Sequence, residues 1–184
     1  MTTAETKLTD EVKAMIGVQG ELFEASWWLV EKEGLRRFTQ AIMDPDPRYW
    51  DEEFAKTTRY GEIITPPIYC TYQGRVTPPW DEDIVTRAFA ENPVADGSGT
   101  HIGRQGGLTT IPTDLVRSLN AGNESEILQF PSLGDRIYSQ SRYGNIVERV
   151  GRDGSHMLVV TTETHFYNQR GDHLCVARAL GIRR

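Results

Sequence analysis

The final third of the chain consists of four segments with the composition of β-strands, and this feature restricts the fold more than any other. The segments Asn123–Phe130, Asp135–Val150, Met157–Asn168 and His173–Ile182 are rich in β-branched and aromatic residues. Short turns containing Pro, Gly, Asn or Asp separate them. Successive side chains of a strand point to opposite faces, so one face of the third segment carries Leu158, Val160, Thr162, Thr164 and Phe166. We therefore expect an antiparallel sheet built from consecutive hairpins.

The first half of the chain shows helical spacing instead. Apolar residues recur every three or four positions in Leu8–Ile16 and again in Lys32–Ile42, which predicts two amphipathic helices. The second helix must end just before Pro45, because proline disfavours helical geometry in the residue that precedes it. Between the two helices, Phe23–Val30 has the composition of a strand, and Ile68–Arg75 is a candidate for a further helix. Helices followed by a β-meander predict an α+β domain.

Composition indicates one globular domain spanning residues 1–184, with 38% hydrophobic residues. No apolar run approaches the roughly 20 residues that span a bilayer, and the N-terminus lacks a signal-peptide pattern. We therefore expect a cytoplasmic protein with no membrane contact. The formal net charge of −6 argues against nucleic-acid binding. Cys70 and Cys175 lack the spacing of metal ligands, which favours buried thiols and no metal site.

Charge is distributed unevenly along the chain. Residues 1–131 contain 12 basic and 21 acidic side chains, whereas residues 132–184 contain 8 basic and 5 acidic side chains. A solvated sheet surface is one explanation. The alternative hypothesis is that some arginines contact an anionic ligand or an acidic partner. The candidates are Arg136, Arg142, Arg149, Arg152, Arg170 and Arg178.

A segment rich in proline and acidic residues follows the second predicted helix, with the sequence DPDPRYWDEEFA over residues 44–55. Asp46 before Pro47 is typical of a helix start, since the carboxylate can accept from free N–H groups and proline fits the first helical position. The acidic residues at positions 51–53 suit the positive end of a helix dipole. Part of this acidity therefore has a purely structural explanation.

The same segment resembles the signature of the MaoC-like hydratases, roughly D-x-N-P-x-H-x-D. Asp44 stands at the position of the family's Asp, Asp46 at that of its Asn, and Pro47 at that of its Pro. In the family, the Asp and the His activate the water that adds to a 2-enoyl thioester. Tyr49 occupies the His position, and a phenol with a reference pKa near 10 is a poor general base at neutral pH. The resemblance thus implies a hydratase relative whose motif positions Asp44 and Tyr49 form no catalytic pair.

Two further stretches carry the resemblance, one formed by Leu119–Glu126 with Pro131–Arg136 and the other by Val160–Gly171. They extend it over about residues 20–184, and it is closest to the N-terminal, FAS1-like dehydratase half of two-hot-dog hydratases. The resemblance implies a hot-dog fold, in which an antiparallel sheet wraps around a helix, here begun by Ile68–Arg75. The long irregular segment at about residues 76–113 departs from the family pattern.

The resemblance also implies a function. A catalytically silent hot dog would hold the acyl thioester in a heteromeric 2-enoyl-CoA hydratase or 3-hydroxyacyl-thioester dehydratase. A MaoC-like partner would supply the Asp and His, in a heterodimer or heterotetramer. Coenzyme A or acyl carrier protein would carry the acyl group, and no other cofactor is expected. The residues expected to contact the substrate are Trp50, Tyr60, Trp80, Phe89, His101, Asn120 and Glu124.

Other functions remain open at this point. Hot-dog thioesterases activate water with an Asp or Glu, and Asp44 and Glu124 are the candidate carboxylates here. A non-enzymatic subunit would bind or scaffold acyl thioesters without turnover. The glycine-rich Gly103–Gly107 lacks the Lys-Ser/Thr of a phosphate-binding P-loop, and no Gly-x-Ser-x-Gly turn indicates a serine hydrolase.

Overall fold

The computed structural model describes residues 5–25, 29–73, 89–90, 93 and 108–184. Its centre is a five-stranded antiparallel sheet with the strand order β1-β3-β4-β5-β2. The strands are β1 (Phe23–Glu24), β2 (Ser118–Ile127), β3 (Ile137–Val150), β4 (His156–Asn168) and β5 (His173–Arg183). The predicted hairpins between β3 and β4 and between β4 and β5 are confirmed.

The predicted hairpin between the first two long strands is wrong. β2 pairs with β5 rather than with β3, so β2 and β3 lie at different positions in the sheet. The connection between them crosses the end of the sheet and is held there by a bridge between Ile64 and Ser132. Composition defines each strand but not its neighbour, and the Pro131–Gly134 stretch has the residues of a tight turn without making one between adjacent strands.

The described residues contain the α-helices α1 (Asp10–Ala14), α2 (Lys32–Ala41), α3 (Glu52–Thr57) and α4 (Tyr69–Gln73). The predictions of α1 and α2 are confirmed. The strand predicted over Phe23–Val30 was too long, because β1 covers two residues and Val30 instead donates its N–H to the carbonyl of Asp135. Trp27 and Trp28 lie outside the described residues.

One face of the sheet is covered by two apolar clusters. The first combines α2 and α4 with the ends of β3 and β4 and includes Leu35, Tyr69 and Phe166. The second places Val12 of α1 beside Leu158 of β4. The face predicted for β4 is therefore confirmed at its buried positions. Cys70 and Cys175 are both buried thiols in this interior, as expected.

The structure also bears on the membrane and metal predictions. Within the described ranges no helix is long and apolar enough to cross a membrane. The same residues contain no group of three or more His, Cys, Asp or Glu side chains arranged to hold a metal ion.

Candidate functional site

The motif segment, residues 44–54, begins where α2 ends at one end of the sheet, which we call the motif end. There β2 and β4 finish and β3 and β5 begin. α2 closes in a Schellman arrangement, because the N–H of Asp44 donates to the carbonyl of Thr39 at 3.0 Å and that of Met43 to Gln40 at 3.2 Å. Met43 has a φ of 55°, and one Asp44 oxygen accepts from the N–H of Asp46 at 3.2 Å.

Asp46 is fully engaged by local donors. Its Oδ1 accepts the N–H of Arg48 at 3.0 Å, which caps a short 3-10 helix, Pro47–Tyr49, as the sequence predicts. The guanidinium of Arg48 also donates to both carboxylate oxygens. Arg48 lowers the pKa of Asp46, so this carboxylate stays ionised. Asp46 therefore holds the motif segment in shape and leaves Asp44 and Tyr49 as the chemically relevant positions.

Tyr49, at the position of the family's His, is only 6% exposed. Burial raises the pKa of its phenol, and the negative charges of Asp44 and Asp46 raise it further. The phenol is consequently neutral near pH 7 and cannot accept a proton from water. The segment is thus held by local turns and caps, and Tyr49 within it is not a base near neutral pH.

The acidic residues after Tyr49 serve α3, as the structural explanation predicted. Asp51 is the N-cap of that helix, and its Oδ1 accepts the N–H groups of Glu53 and Phe54 at 3.0 Å each. Between the cap and the phenol lies Trp50, whose indole N–H donates to the carbonyl of Pro45 at 3.4 Å. The rest of the indole faces outward.

Three large apolar side chains along or next to the motif segment are exposed. The exposed fractions are 86% for Met43, 56% for Trp50 and 43% for Phe54. Exposed apolar side chains of this size are candidates for contact with another element or a partner.

The motif segment is tied to the strand connection. The N–H of Ile64 donates to the carbonyl of Arg48 at 3.2 Å, and Ser132 donates to the Glu62 carboxylate at 2.7 Å. Tyr60 packs edge-on against Phe130, with ring centroids 5.5 Å apart. Tyr60 thus belongs to the motif end, together with Asp44, Tyr49 and Trp50.

Asp135 anchors this end of the sheet, and sequence reasoning missed it. Its side chain is 2% exposed and accepts from the N–H of Ser132 at 3.0 Å, from Gln169 at 3.2 Å and from Arg170 at 3.0 Å. Its carbonyl accepts the N–H of Val30 at 2.8 Å. The available signal was an Asp directly after the turn-forming residues Pro131–Gly134, since Asp side chains commonly bond backbone N–H groups in turns.

The structure does not bring every predicted contact residue to the motif. Glu124 lies on the face of the sheet opposite the helices and pairs with Arg178 at 3.0 Å. Asn120 accepts the N–H of Gly122 at 3.0 Å within a β-bulge of β2. Phe89 is in a helical turn and is 46% exposed. Trp80 and His101 lie outside the described residues, as does most of the irregular segment at 76–113.

The outer face, opposite the helices, carries a row of alternating charges across the strands. Glu163 of β4 accepts from Arg142 of β3 at 2.7 Å and from Arg178 of β5 at 3.3 Å. Next to this row, His165 and His173 are 3.2 Å apart between Nδ1 and Nε2. This network engages Arg142 and Arg178, so two of the arginines proposed for an anion serve the sheet itself.

Comparison with known proteins assigns the chain to a family. A family model described as FAS1-like, dehydratase domain region, matches residues 15–177. The chain belongs to this family. A UPF0336 protein of Streptomyces avermitilis is 42% identical over 40 residues, an alignment that spans 22% of this chain and 27% of that protein.

Solved structures extend the family's fold over the chain. The ChsH1-ChsH2 complex from Mycobacterium tuberculosis has a TM-score of 0.66 at 11% identity, covering 95% of this chain and 89% of that chain. The C-terminally truncated HadBC (3R-hydroxyacyl-ACP dehydratase) complex from the same organism has a TM-score of 0.56 at 15% identity, covering 91% and 96%. The unliganded R-hydratase PhaJ1 from Pseudomonas aeruginosa has a TM-score of 0.52 at 16% identity, covering 91% and 81%. The fold is the α+β hot dog of MaoC-like hydratases and dehydratases, as predicted.

Proposed function

We propose that the chain is the substrate-binding, catalytically silent subunit of a heteromeric 2-enoyl-CoA hydratase or 3-hydroxyacyl-thioester dehydratase. The observation that carries this proposal is the state of the motif. Its backbone turns and caps are in place, yet its decisive position holds Tyr49, a buried phenol with a raised pKa. A segment that keeps its shape without its base suits a binding role.

Edge strand β2 supports a hot-dog partner. Its ten residues pair only with β5 among the described residues, so its other side presents unpaired backbone N–H and C=O groups. Val116, Leu119 and Leu128 beside or within the strand are 80%, 41% and 51% exposed. A long edge with unpaired backbone groups is a template for pairing with another strand. Two structurally similar proteins are themselves described as complexes.

In the proposed reaction, the Asp and His of the partner accept a proton from a water molecule while the oxygen of that water bonds to C3 of the enoyl thioester. The electron pair of the C2–C3 double bond moves toward the thioester carbonyl, and C2 then receives a proton. Dehydration is the reverse. This chain's contribution is to hold the acyl thioester with its motif end, where Trp50 and Tyr60 are the described aromatic candidates.

Reconstitution tests the proposal. The chain alone should give negligible hydration of 2-enoyl-CoA substrates, and mixing it with a MaoC-like subunit that has an intact Asp and His should restore turnover. Loss of activity when the partner's His is replaced locates the base in the partner. Robust turnover by this chain alone would overturn the silent-subunit role.

Tyr49→Phe is the informative variant of this chain. Its phenol has no catalytic task in the proposed mechanism, so the reconstituted complex should keep its kcat with the conservative replacement. A loss of about a hundredfold or more, the scale of a missing general acid or base, would instead make Tyr49 a catalytic residue. Asp44→Asn tests the thioesterase alternative. If Asp44 activates water for thioester hydrolysis, this substitution should abolish the release of free coenzyme A from acyl-CoA, whereas hydration by the reconstituted complex should not depend on it.

A further inference from the structure

The end of the sheet opposite the motif contains a group of arginines that form no ion pair with a described carboxylate. There β3 and β5 finish and β4 begins, and β2 begins nearby; we call it the arginine end. Over the thirteen residues of β4 it lies about 40 Å from the motif end. Five arginines lie there without an ion pair to any described carboxylate: Arg117, Arg149, Arg152, Arg183 and Arg184.

The nearby carboxylates are engaged by other donors. Asp114 pairs with Lys7 at 2.6 Å, and Asp153 accepts from the N–H and hydroxyl of Ser155 at 3.0 and 2.7 Å. Glu148 accepts from the hydroxyl of Thr6 at 2.6 Å, from the N–H of Lys7 at 2.6 Å and from His156 at 2.7 Å. Arg184 also acts on Asp153 at longer range, because its charge helps to lower the pKa of that carboxylate. Among the described residues, however, none of the five arginines forms an ion pair with these carboxylates.

Two of these arginines occupy directly opposed positions on neighbouring backbone segments. Arg117 and Arg184 exchange both backbone hydrogen bonds, at 2.9 and 3.0 Å, as a directly opposed antiparallel pair. Residues so opposed project their side chains on the same face about 5.5 Å apart at the Cα atoms. Like charges directly opposite each other are destabilising, unless an anion lies between them. The pairing costs stability in the free chain and would favour a bound anion.

A groove lies at the same place. It has a volume of about 610 Å³ and is lined by Lys7, Arg117, Asp153, Ser155, His156 and Arg184, among others. This volume falls in the range of small-molecule sites and exceeds what one inorganic ion fills. Lys7 also lines the groove, with its ammonium paired to Asp114, and Glu5 and Asp153 are the carboxylates among the lining residues.

We propose that this groove binds a small organic molecule carrying two or more phosphate groups, with Arg117 and Arg184 as its principal ligands. Guanidinium groups match phosphate oxygens with paired N–H donors, and two of them on one face suit separate phosphates or a pyrophosphate. Lys7 and the hydroxyl of Ser155 complete the polar lining. The remainder of the groove provides space for the organic part of the ligand. This site is independent of the motif and of the function proposed for it.

Calorimetric titration of the full-length chain tests the proposal. Adenosine 3′,5′-bisphosphate and inorganic pyrophosphate are the probes, at low and at physiological ionic strength. Both should bind to one site, and the nucleotide should bind more tightly if the groove also holds an organic group. Equal affinity would assign the site to the phosphates alone. Absence of binding by either probe at low ionic strength would overturn the proposal.

Two variants separate a built site from a general positive field. The double variant Arg117→Ala with Arg184→Ala should weaken binding by about tenfold or more, since each loses a charge-assisted hydrogen bond. Arg149 lies at the same end of the sheet but does not line the groove. The control variant Arg149→Ala should therefore change the affinity for the phosphate probes by about twofold at most. An equal loss in both variants would reduce the effect to nonspecific charge and refute the site. The double variant should unfold at the same or a slightly higher temperature than the parent, because it removes the repulsion between the two opposed charges.

Discussion

At the motif end, arginines pair with carboxylates, whereas the five arginines of the arginine end form no ion pair with a carboxylate in the described part of the chain. Arg48 pairs with Asp46, Arg136 with Glu24, and Arg170 with both Asp135 and Asp172. At the opposite end the carboxylates are taken by Lys7, Ser155 and His156. The contrast indicates that charge at the motif end is used to fix a shape, and that charge at the arginine end is available for a ligand.

The largest effect should come from the anchor of the motif end. Asp135→Ala removes a buried carboxylate that accepts from Ser132, Gln169 and Arg170. We expect a loss of about 2–4 kcal/mol in the free energy of unfolding, the scale for breaking a buried charged network. Urea denaturation of the chain measures it.

Arg152→Ala is the matched change at the arginine end. Arg152 is exposed and has no described ion pair, so its removal should change the free energy of unfolding by about 0.5 kcal/mol or less. Comparable losses in Asp135→Ala and Arg152→Ala would contradict the difference between the two ends.

The next effect concerns pH and the outer-face network. Burial lowers the pKa of His165, and His173 and Arg142 lower it further, against a smaller opposing influence of Glu163. Because the folded-state pKa lies below the unfolded value of about 6.5, the unfolded chain binds more protons as the pH falls below that value. Stability is therefore present at and above neutral pH and is lost on acidification through the lowered pKa.

His165→Gln should flatten this pH dependence. A single titrating group can change the free energy of unfolding by at most about 1.4 kcal/mol per pH unit. The free energy of unfolding of the parent chain should therefore decrease between about pH 7 and pH 5, and the part due to His165 cannot exceed this slope. Urea denaturation across that range compares the two chains. Parallel curves for both would exclude His165 as the titrating group.

Several parts of this architecture could be predicted from sequence, for reasons that the structure makes explicit. α2 and the Asp46 cap follow from local rules of spacing and capping, and both formed where expected. The pairing of β2 with β5 depends on contacts between residues 48 to 65 positions apart, which no local pattern contains. The same limit applies to Glu124, whose partner Arg178 is set by that register.

The candidate site was predicted in part for the same reason. Asp44, Tyr49, Trp50 and Tyr60 are close in sequence and lie at one end of the sheet. The groove at the arginine end joins residues from the N-terminal segment, the β3–β4 turn and the last residue of the chain. A charge imbalance in the final third was visible in the sequence. Which arginines lack an ion pair within the described residues depends on the positions of Lys7 and Ser155, which engage the nearby carboxylates.

The last prediction concerns backbone strain at the motif end. Met43 follows the C-cap of α2 with a φ of 55°, a left-handed conformation that glycine adopts without strain. Its side chain is 86% exposed, so little burial is lost when it is removed. Met43→Gly should therefore be more stable than Met43→Ala by about 1 kcal/mol, because alanine removes the side chain but retains the strained backbone.

Thermal unfolding of the two variants measures this difference, and assembly with the partner gives a second comparison. If Met43 contacts the partner subunit, both variants should weaken the complex by a similar factor although one of them is the more stable chain. The motif end would then retain a strained residue for its exposed side chain, in keeping with a surface shaped for contact. Equal stability of Met43→Gly and Met43→Ala would show that the backbone at position 43 is not strained. Unchanged assembly of both variants would show that the Met43 side chain does not contact the partner.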